Sequence, residues 1–400
     1  MSTASQRPTR AELVERARVV GAELADGATK TEELRRLPEE TVLAFRESGL
    51  LRAFVPEAYG GYALEIATVI ETAREVGEHC GSSAWCLAIF SLHNWMVSNF
   101  PAAAQQEVFG DSPDSPDSVV CGVFMPGGTV VPSEGGYRLS GQWDFASGCD
   151  HAGHAILSAL IQGGPEGEVS GLGSFLVRRA DLAIEDNWFV AGLQGTGSKR
   201  VVVSDVFVPE DWFLPLAKGP GADVAAGSRG AADGTVALPF NSVATLGLVG
   251  VTLGIARGAL ENFRLRLGTK VRVGSFRRAE AQVGAQHRLA ESAAEIDGAE
   301  LIALRDAEEM EASRAAGEMA SLEQRGRYRR DAAYVFQVCA RAVARLLPAS
   351  GAHAIFRDAI MQRAVRDTQA MSAHIVADWD LARESYARVL LEMPTEDPVF

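Results

Sequence analysis

Hydrophobic positions recur with a helical period in the first and last parts of the chain and with a strand-like period between them. In the first part, apolar residues repeat every three to four positions over Leu64–Cys80 and Ser83–Phe100. The segment Thr9–Glu12 has the form of a helix-capping box. The same period returns over 279–320 and 328–347. The two flanking regions are therefore predicted to be helical.

The intervening region consists of short runs rich in β-branched and aromatic residues, separated by glycine and proline turns. A Pro/Ser/Asp-rich segment at 111–118 precedes it, and a Gly/Ala-rich segment at 216–234, predicted to be a mobile loop, follows it. The pattern predicts an α+β protein of three domains, with an N-terminal helical domain over 1–118, a β-barrel or β-sandwich over 119–215 and a helical bundle over 216–400.

Composition and charge exclude several classes. The net charge of −14 opposes binding to nucleic acid or anionic membranes, and five scattered cysteines without a CxxC motif favour a reducing cytoplasm. The segment Thr235–Ala256 is uncharged and long enough to span a bilayer, but Pro239 and Asn241 favour a helix buried among helices. His151 and His154 lack further nearby ligands, so no metal site is predicted. Nucleotide-binding GxGxxG and P-loop motifs are absent from the sequence.

The most informative segment for chemistry is GQWDFASGCDHA, residues 141–152, in the β-rich region. Trp143 and Phe145 precede Ser147 and Gly148 there. A small hydroxyl beside glycine lets the backbone approach a flat ligand while one polar group bonds to its edge. The segment therefore predicts a site for a planar ligand.

Several features together resemble the acyl-CoA dehydrogenase fold, whose C-terminal domain is a four-helix bundle. These are the order of helices, strands and helices, the PEAYGGY turn at 56–62, GLQGTGS at 192–198 followed by VFVP, and the late RAVRD helix. FASGCDHA and His374, predicted to lie on a late helix with Asp367 and Met371 on the same face, are similar more narrowly to the oxygenase components of two-component flavin-dependent monooxygenases. The latter include the 4-hydroxyphenylacetate 3-hydroxylases.

This resemblance spans nearly the whole chain and implies a function. It implies a cytoplasmic homotetramer that takes reduced FMN or FAD from a separate NAD(P)H:flavin reductase. The enzyme would react with O2 through a C4a-hydroperoxyflavin and hydroxylate an aromatic, phenolic or polycyclic substrate. Where the phenol hydroxylases carry a serine-rich stretch, this chain has Val120–Val123 (Val-Cys-Gly-Val), which favours a bulkier or less polar substrate.

The resemblance also implies three catalytic residues. Ser147 would bond to flavin N5 and slow the loss of hydrogen peroxide. His374 would hydrogen-bond to the peroxide and supply its proton. His93, in the SLHNW segment, would hold or deprotonate the phenol.

The resemblance also suggests which residues bind the flavin. Trp143 and Phe145 would pack against the isoalloxazine or, alternatively, form sheet core. Gly148 would allow close backbone approach. Thr196 and Ser198 would offer donors to the flavin or its phosphate, or would simply occupy a turn between strands.

Three alternatives remain at this point. An acyl-CoA dehydrogenase needs a glutamate base to remove the α-proton of its thioester. In the resembling enzymes that glutamate lies near position 375 or on the helix after the loop, but here Ile375 occupies the first place and no glutamate occurs between Glu210 and Glu261. This opposes dehydrogenation. An N-oxygenase acting on an amine and a flavin-binding protein without turnover both stay open.

Overall fold

The computed structural model describes residues 7–163, 169–216, 238–269, 279–398 and 400. The predicted loop at 216–234 lies outside the described residues except for its first residue. Six helices form the N-terminal part: α1 Arg10–Leu24, α2 Ala28–Leu34, α3 Glu39–Glu47, α4 Ile66–Gly77, α5 Gly81–Val97 and α6 Ala102–Gln105.

The predicted capping box at the start of α1 is confirmed. The Thr9 side chain accepts a hydrogen bond from the Glu12 backbone, and the Glu12 carboxylate accepts one from Thr9. Helices α4 and α5 are buried along almost their whole length, so they form the centre of the molecule rather than its surface. This central position matters because α5 carries His93.

The described residues then form seven strands: β1 Val120–Ser133, β2 Gly136–Ala146, β3 His154–Gln162, β4 Val169–Arg178, β5 Ala183–Glu185, β6 Lys199–Pro209 and β7 Phe213–Pro215. They form one sheet in the order β5-β6-β2-β1-β3-β4-β7. The β1–β3 pair is parallel and the remaining pairs are antiparallel. The region is thus a single sheet with β5 and β7 at its ends, and it curls so that Tyr137 on β2 packs against Phe175 on β4 and Phe213 on β7. The period of two predicts strands but does not determine how their edges pair.

The C-terminal part is helical, as predicted: α7 Phe240–Leu246, α8 Val249–Thr269, α9 Val283–Ala315, α10 Leu322–Leu346, α11 Ile360–Ser372 and α12 Trp379–Leu390. Helix α10 lies at its centre and packs against α8, α9, α11 and α12. Together α7 and α8 are long and apolar enough to cross a membrane, but most of this stretch is buried inside the protein. The predicted buried helix is therefore confirmed.

Helix α8 joins the two helical regions through a close contact with α4. A Cβ atom on Gly254 would lie 2.3 Å from the carbonyl oxygen of Arg74, and one on Gly258 would lie 2.1 Å from that of Glu78. Only glycine allows the two backbones to approach this closely. The contact holds α4, and with it the neighbouring α5, against the C-terminal helices.

Candidate active site

A bulge in strand β2 shapes the site around Phe145. Between Trp143 and Ala146, three steps along β2 oppose two steps along β6, so β2 contains one extra residue. Phe145 has φ +69°, a conformation that costs a non-glycine residue roughly 1–2 kcal/mol. As a result, two residues that a regular strand would place on one face are separated. Trp143 is buried in the sheet, with its Nε1 donating to the Ser158 carbonyl at 2.7 Å, whereas Phe145 is 69% exposed.

The burial of Trp143 therefore favours the alternative, a side chain in the sheet core, over the predicted contact with the flavin. Phe145 is different, because its ring is accessible and meets Trp188 edge-on at 6.1 Å between centroids. An exposed aromatic side chain held in a strained backbone conformation is typical of a functional position.

Ser147 heads a chain of buried hydroxyl groups. Its Oγ accepts a hydrogen bond from Trp85 Nε1 at 3.0 Å and lies 2.7 Å from Ser198 Oγ. Ser198 Oγ lies 2.7 Å from Thr196 Oγ1, which donates to the Leu193 carbonyl at 2.9 Å. The two hydroxyls behind Ser147 are bonded to each other and enclosed. Thr196 and Ser198 are thus placed to act through Ser147, not to contact a ligand directly as expected.

Gly148 serves a packing role in this segment. It has φ +71°, and a Cβ atom there would lie 2.4 Å from the Phe90 ring. Its N–H donates to the Thr196 carbonyl at 2.9 Å. The close approach that requires glycine is thus to Phe90, and not to a ligand as the sequence suggested.

The segment that carries Thr196 is held by buried groups from distant elements. Asp367 Oδ1, on α11, accepts from the Leu193 N–H at 2.6 Å, and Ser82 Oγ, on α5, accepts from the Gly195 N–H at 3.1 Å. Burial raises the pKa of Asp367 to about 6, although the Leu193 N–H opposes this rise. These contacts fix the turn that orients the hydroxyl chain.

His374 lies just beyond a helix and not on it, which corrects the prediction. Helix α11 ends at Ser372, and His374 caps a short 3-10 turn at Ile375–Ala377. It therefore does not share a helical face with Asp367 and Met371. The helical period of RAVRDTQAM continues toward the histidine, and nothing local in the sequence marks where the helix ends.

The turn determines which nitrogen of His374 carries the proton. Nδ1 accepts from the Val376 N–H at 3.3 Å, so the neutral ring carries its hydrogen on Nε2. The His374 side chain is exposed, and its ring meets Trp85 edge-on at 5.3 Å between centroids. Desolvation by the protein atoms around the ring and the charge of Arg329 lower its pKa. Because even the ordinary value is about 6.5, His374 is a neutral Nε2–H donor at pH 7.5.

His93 is fully enclosed on α5. Its Nδ1 donates to the Val120 carbonyl at 2.9 Å, which leaves Nε2 as an acceptor with no hydrogen-bond partner among the described residues. A Cβ atom at Gly122 would lie 3.3 Å from Nε2. Burial lowers the pKa of His93 to about 4, so the ring is neutral at pH 7 and resists taking up a proton.

Beyond His93 lies a row of aromatic side chains from three elements. Phe124 on β1 meets His93 edge-on at 5.4 Å, and Phe240 on α7 meets Phe124 edge-on at 5.7 Å. Trp95 on α5 stacks on Phe240 at 5.6 Å. All three are partly exposed. The row forms an apolar wall beside the imidazole of His93.

The structure thus brings Ser147, Ser198 and His374 together around Trp85. His93 lies eight residues after Trp85 on α5, about 12 Å along the helix axis. Sequence reasoning did not predict four residues of this region, namely Trp85, Phe124, Trp95 and Phe240. Of these, Trp95 could have been found from the sequence, because it lies two residues after His93 in SLHNW.

Other predicted features lie apart from this site. Within the described part of the chain, no group of three or more His, Cys, Asp or Glu residues is placed to hold a metal ion. His151 contacts the Leu37 carbonyl, and His154 contacts Glu107. A cleft of about 550 Å³ between α3 and the turn at Asp150 contains none of the predicted site residues.

Comparisons with known proteins identify the family. The family profile of the acyl-CoA dehydrogenase N-terminal domain matches residues 8–109, and that of the C-terminal domain matches residues 246–379. A flavin-dependent monooxygenase, oxygenase subunit HsaA, of Mycobacterium tuberculosis (strain H37Rv) is 32% identical over 379 residues, which cover 94% of each chain. The oxygenase component of FADH2-dependent resorcinol hydroxylase of Rhizobium sp. is 33% identical over 395 residues, 95% of each chain.

Solved structures extend the similarity to three dimensions. The 3-HSA hydroxylase from Rhodococcus sp. RHA1 superposes with a TM-score of 0.89 at 31% identity, over 97% of this chain and 99% of that one. XiaF from Streptomyces sp., in complex with FADH2 and glycerol, superposes with a TM-score of 0.87 at 29% identity, over 96% of each chain. The resemblance seen in the sequence is thereby confirmed, and the chain belongs to the oxygenase components of flavin-dependent monooxygenases that are built on the acyl-CoA dehydrogenase fold.

Proposed function

We propose that this protein binds reduced FMN or FAD from a separate NAD(P)H:flavin reductase and uses O2 to hydroxylate an aromatic substrate. The observation that carries the proposal is the grouping around α5 of the Ser147 hydroxyl, a neutral His374 donor and the buried acceptor His93. When bound, the reduced flavin would react with O2 and supply the oxygen atom. The three side chains would bind and orient the reactants and hold their protons.

The residues near Ser147 fit a flat, partly polar ligand. Phe145 offers an exposed aromatic side chain two residues before Ser147. Ser147 Oγ accepts from Trp85 and shares a hydrogen with Ser198, which leaves one lone pair for a ligand donor. Ser147 would use it to accept from the flavin N5–H, which keeps that proton in place and slows the loss of hydrogen peroxide.

His374 would stabilise charge that develops on oxygen. Its neutral Nε2–H is a preorganised donor, because the Val376 N–H holds Nδ1 as an acceptor. Arg329 supports the turn by donating to the carbonyls of Ile375 and Val376 at 3.0 and 2.8 Å. A donor fixed in this way would hydrogen-bond to the reduced oxygen. Supplying the proton as well would require the imidazolium form, because a neutral ring that gives up its Nε2 hydrogen becomes an imidazolate.

His93 would bind the hydroxyl group of the substrate. The sequence left open whether it holds or deprotonates a phenol. Burial disfavours the imidazolium that deprotonation would create, and no carboxylate among the described residues offsets it. We therefore assign His93 as a hydrogen-bond acceptor through Nε2. Its aromatic neighbours Phe124 and Phe240, like the apolar Val120–Val123 segment, favour a bulky aromatic substrate of low polarity.

The same proposal includes a homotetramer in the cytoplasm. In the single chain, α8 and α9 leave large apolar side chains exposed, namely Leu265, Val283 and Leu301, the last at 71%. Exposed apolar surface of this kind is typical of subunit interfaces. The five cysteines are all unpaired and buried, which suits a reducing compartment.

The first prediction tests the source of the flavin. We expect the purified protein alone to oxidise no NADH above background, because it lacks a recognisable nicotinamide-binding motif. With a generic flavin reductase, flavin and NADH added, oxygen from 18O2 should appear in an aromatic product, measured by mass spectrometry. A screen of mono- and polycyclic phenols serves as substrate set. Rapid NADH oxidation by the protein alone would contradict the two-component assignment.

The second prediction concerns the strained Phe145. Glycine adopts positive φ without penalty, so Phe145→Gly should stabilise the fold by about 1 kcal/mol relative to Phe145→Ala. Both variants lose the ring and should bind reduced flavin more weakly than wild type. Thermal unfolding and anaerobic flavin titration measure the two effects. A glycine variant less stable than the alanine variant would show that the positive φ carries no strain.

A further inference from the structure

We propose that the hydroxyl chain Ser147–Ser198–Thr196 makes the site select reduced over oxidised flavin, with Thr196 and Ser198 as positioning residues. The proposal rests on the proposed function, in which Ser147 meets flavin N5. It assigns a role to two hydroxyls that lie behind Ser147 and are only 4% and 1% exposed, at Ser198 and Thr196.

The direction of each hydrogen bond follows from counting hydrogens. The Leu193 carbonyl only accepts, so the single hydroxyl hydrogen of Thr196 is used on it. The 2.7 Å contact between Thr196 and Ser198 must then use the hydrogen of Ser198. By the same reasoning the 2.7 Å contact between Ser198 and Ser147 uses the hydrogen of Ser147. The chain is thus polarised away from the ligand and ends on a backbone acceptor.

Trp85 completes the arrangement at Ser147. Indole Nε1 only donates, and it donates to Ser147 Oγ at 3.0 Å. Ser147 Oγ therefore gives one hydrogen bond, receives one and keeps one lone pair, so it presents an acceptor to the site. Because Ser198 and Thr196 are enclosed, water does not replace either partner.

The two redox states of flavin meet this acceptor differently. In reduced flavin N5 carries a hydrogen, which matches the lone pair of Ser147. In oxidised flavin N5 has a lone pair, so Ser147 must turn its hydrogen toward the ligand. Ser198 and Thr196 must then reverse as well, and Thr196 loses its bond to the Leu193 carbonyl. That carbonyl keeps the Thr196 N–H at 3.1 Å and Trp188 Nε1 at 3.3 Å, so reversal removes one hydrogen bond and leaves no orphaned acceptor.

Binding of oxidised flavin costs the protein this one buried hydrogen bond, which corresponds to a preference of about fivefold for reduced flavin. Thr196→Val keeps the shape of the side chain but removes the link to the Leu193 carbonyl. The hydrogen of Ser198 then has its partner only in Ser147, which frees the hydrogen of Ser147 for N5 of oxidised flavin. The preference should therefore fall at least about fivefold and should reverse if this chain is its main source.

The experiment measures dissociation constants of reduced and oxidised FMN and FAD by anaerobic titration, for wild type and for Thr196→Val. The ratio of the two constants also shifts the two-electron potential of the bound flavin, by about 30 mV per tenfold change. Ser198→Ala, which leaves the hydrogen of Ser147 without its acceptor, should shift the ratio in the same direction. The Ser198→Ala variant therefore keeps the test decisive if Thr196→Val does not fold.

Two controls separate this effect from general damage. Thr72→Val removes a buried hydroxyl that donates to the Thr68 carbonyl on α4, and it should leave the ratio unchanged. In a Ser147→Ala background, Thr196→Val should also leave the ratio unchanged, because the chain then no longer reaches the flavin.

The possible results distinguish failure of the selection mechanism from failure of the proposed function. Saturable flavin binding with a ratio that neither Thr196→Val nor Ser198→Ala alters would overturn the selection mechanism and leave the proposed function standing. A shift from Thr196→Val that persists in the Ser147→Ala background would also overturn it. If wild type binds neither reduced nor oxidised flavin, both the mechanism and the proposed function are wrong.

Discussion

Replacing His374 by alanine should slow the reaction of the flavin-loaded protein with O2 by about 10²- to 10³-fold, with or without substrate. The reason is the loss of a preorganised donor where negative charge develops on oxygen, an effect of that size for a single donor. Stopped-flow mixing of reduced, flavin-loaded protein with O2, followed by absorbance, measures the rate. Flavin affinity should change much less, because the imidazole is placed to act on oxygen.

A matched variant separates chemistry from structure at this position. His374→Asn keeps a side-chain oxygen that can accept from the Val376 N–H and so preserves the cap of the turn. It lacks an ionisable group that supplies a proton. We expect it to fold like wild type and still react slowly with O2. Recovery of the wild-type rate in His374→Asn would mean that the O2 reaction does not need an ionisable group at this position, because the asparagine amide keeps both the cap and an N–H donor.

Replacing His93 by alanine should leave the reaction with O2 near the wild-type rate and lower substrate hydroxylation by about 10²-fold or more. Loss of a group that positions or deprotonates the substrate typically has an effect of about 10²- to 10⁴-fold. Product formed per flavin oxidised, measured in single turnovers, isolates this step. Hydrogen peroxide should account for the missing product.

His93→Gln distinguishes an acceptor from a base. Glutamine can accept a hydrogen bond from the substrate but cannot take up its proton. If His93 is an acceptor, as its burial indicates, the glutamine variant should recover much of the lost hydroxylation. If it matches the alanine variant instead, His93 is a base. Loss of the O2 reaction in His93→Ala together with its retention in His374→Ala would show that the two roles are exchanged.

The pH dependence follows from the same burial. The pKa of His93 is lowered to about 4, so the ring stays neutral, and able to accept at Nε2, throughout pH 5 to 8. Protonation removes that acceptor only as the pH falls toward 4. We expect no titration of the hydroxylation step attributable to His93 between pH 5 and 8, measured in single turnovers on wild type and His93→Gln.

The periodic patterns of the sequence determined the element types. Apolar spacing alone predicted the helical and β-rich regions, and the capping box at Thr9 is present as predicted. These features depend on neighbours within a few residues, which is why local reasoning reached them. The adjacent Ser147 and Gly148 predicted a ligand site from the sequence, although it is the close packing of Phe90 that requires the glycine. Identification of the family rested on resemblance, and not on periodicity.

What only the tertiary structure decided depends on contacts between distant residues. Trp85 meets Ser147 across 62 positions of sequence, and the aromatic row joins side chains from β1, α5 and α7. The bulge at Phe145 depends on pairing with β6, which no period within β2 reveals. His374 lies off its helix because Arg329, 46 residues before Ile375, holds the following turn by donating to the Ile375 carbonyl. Local patterns predict which elements form, but register, bulges and helix ends depend on the partners against which those elements pack.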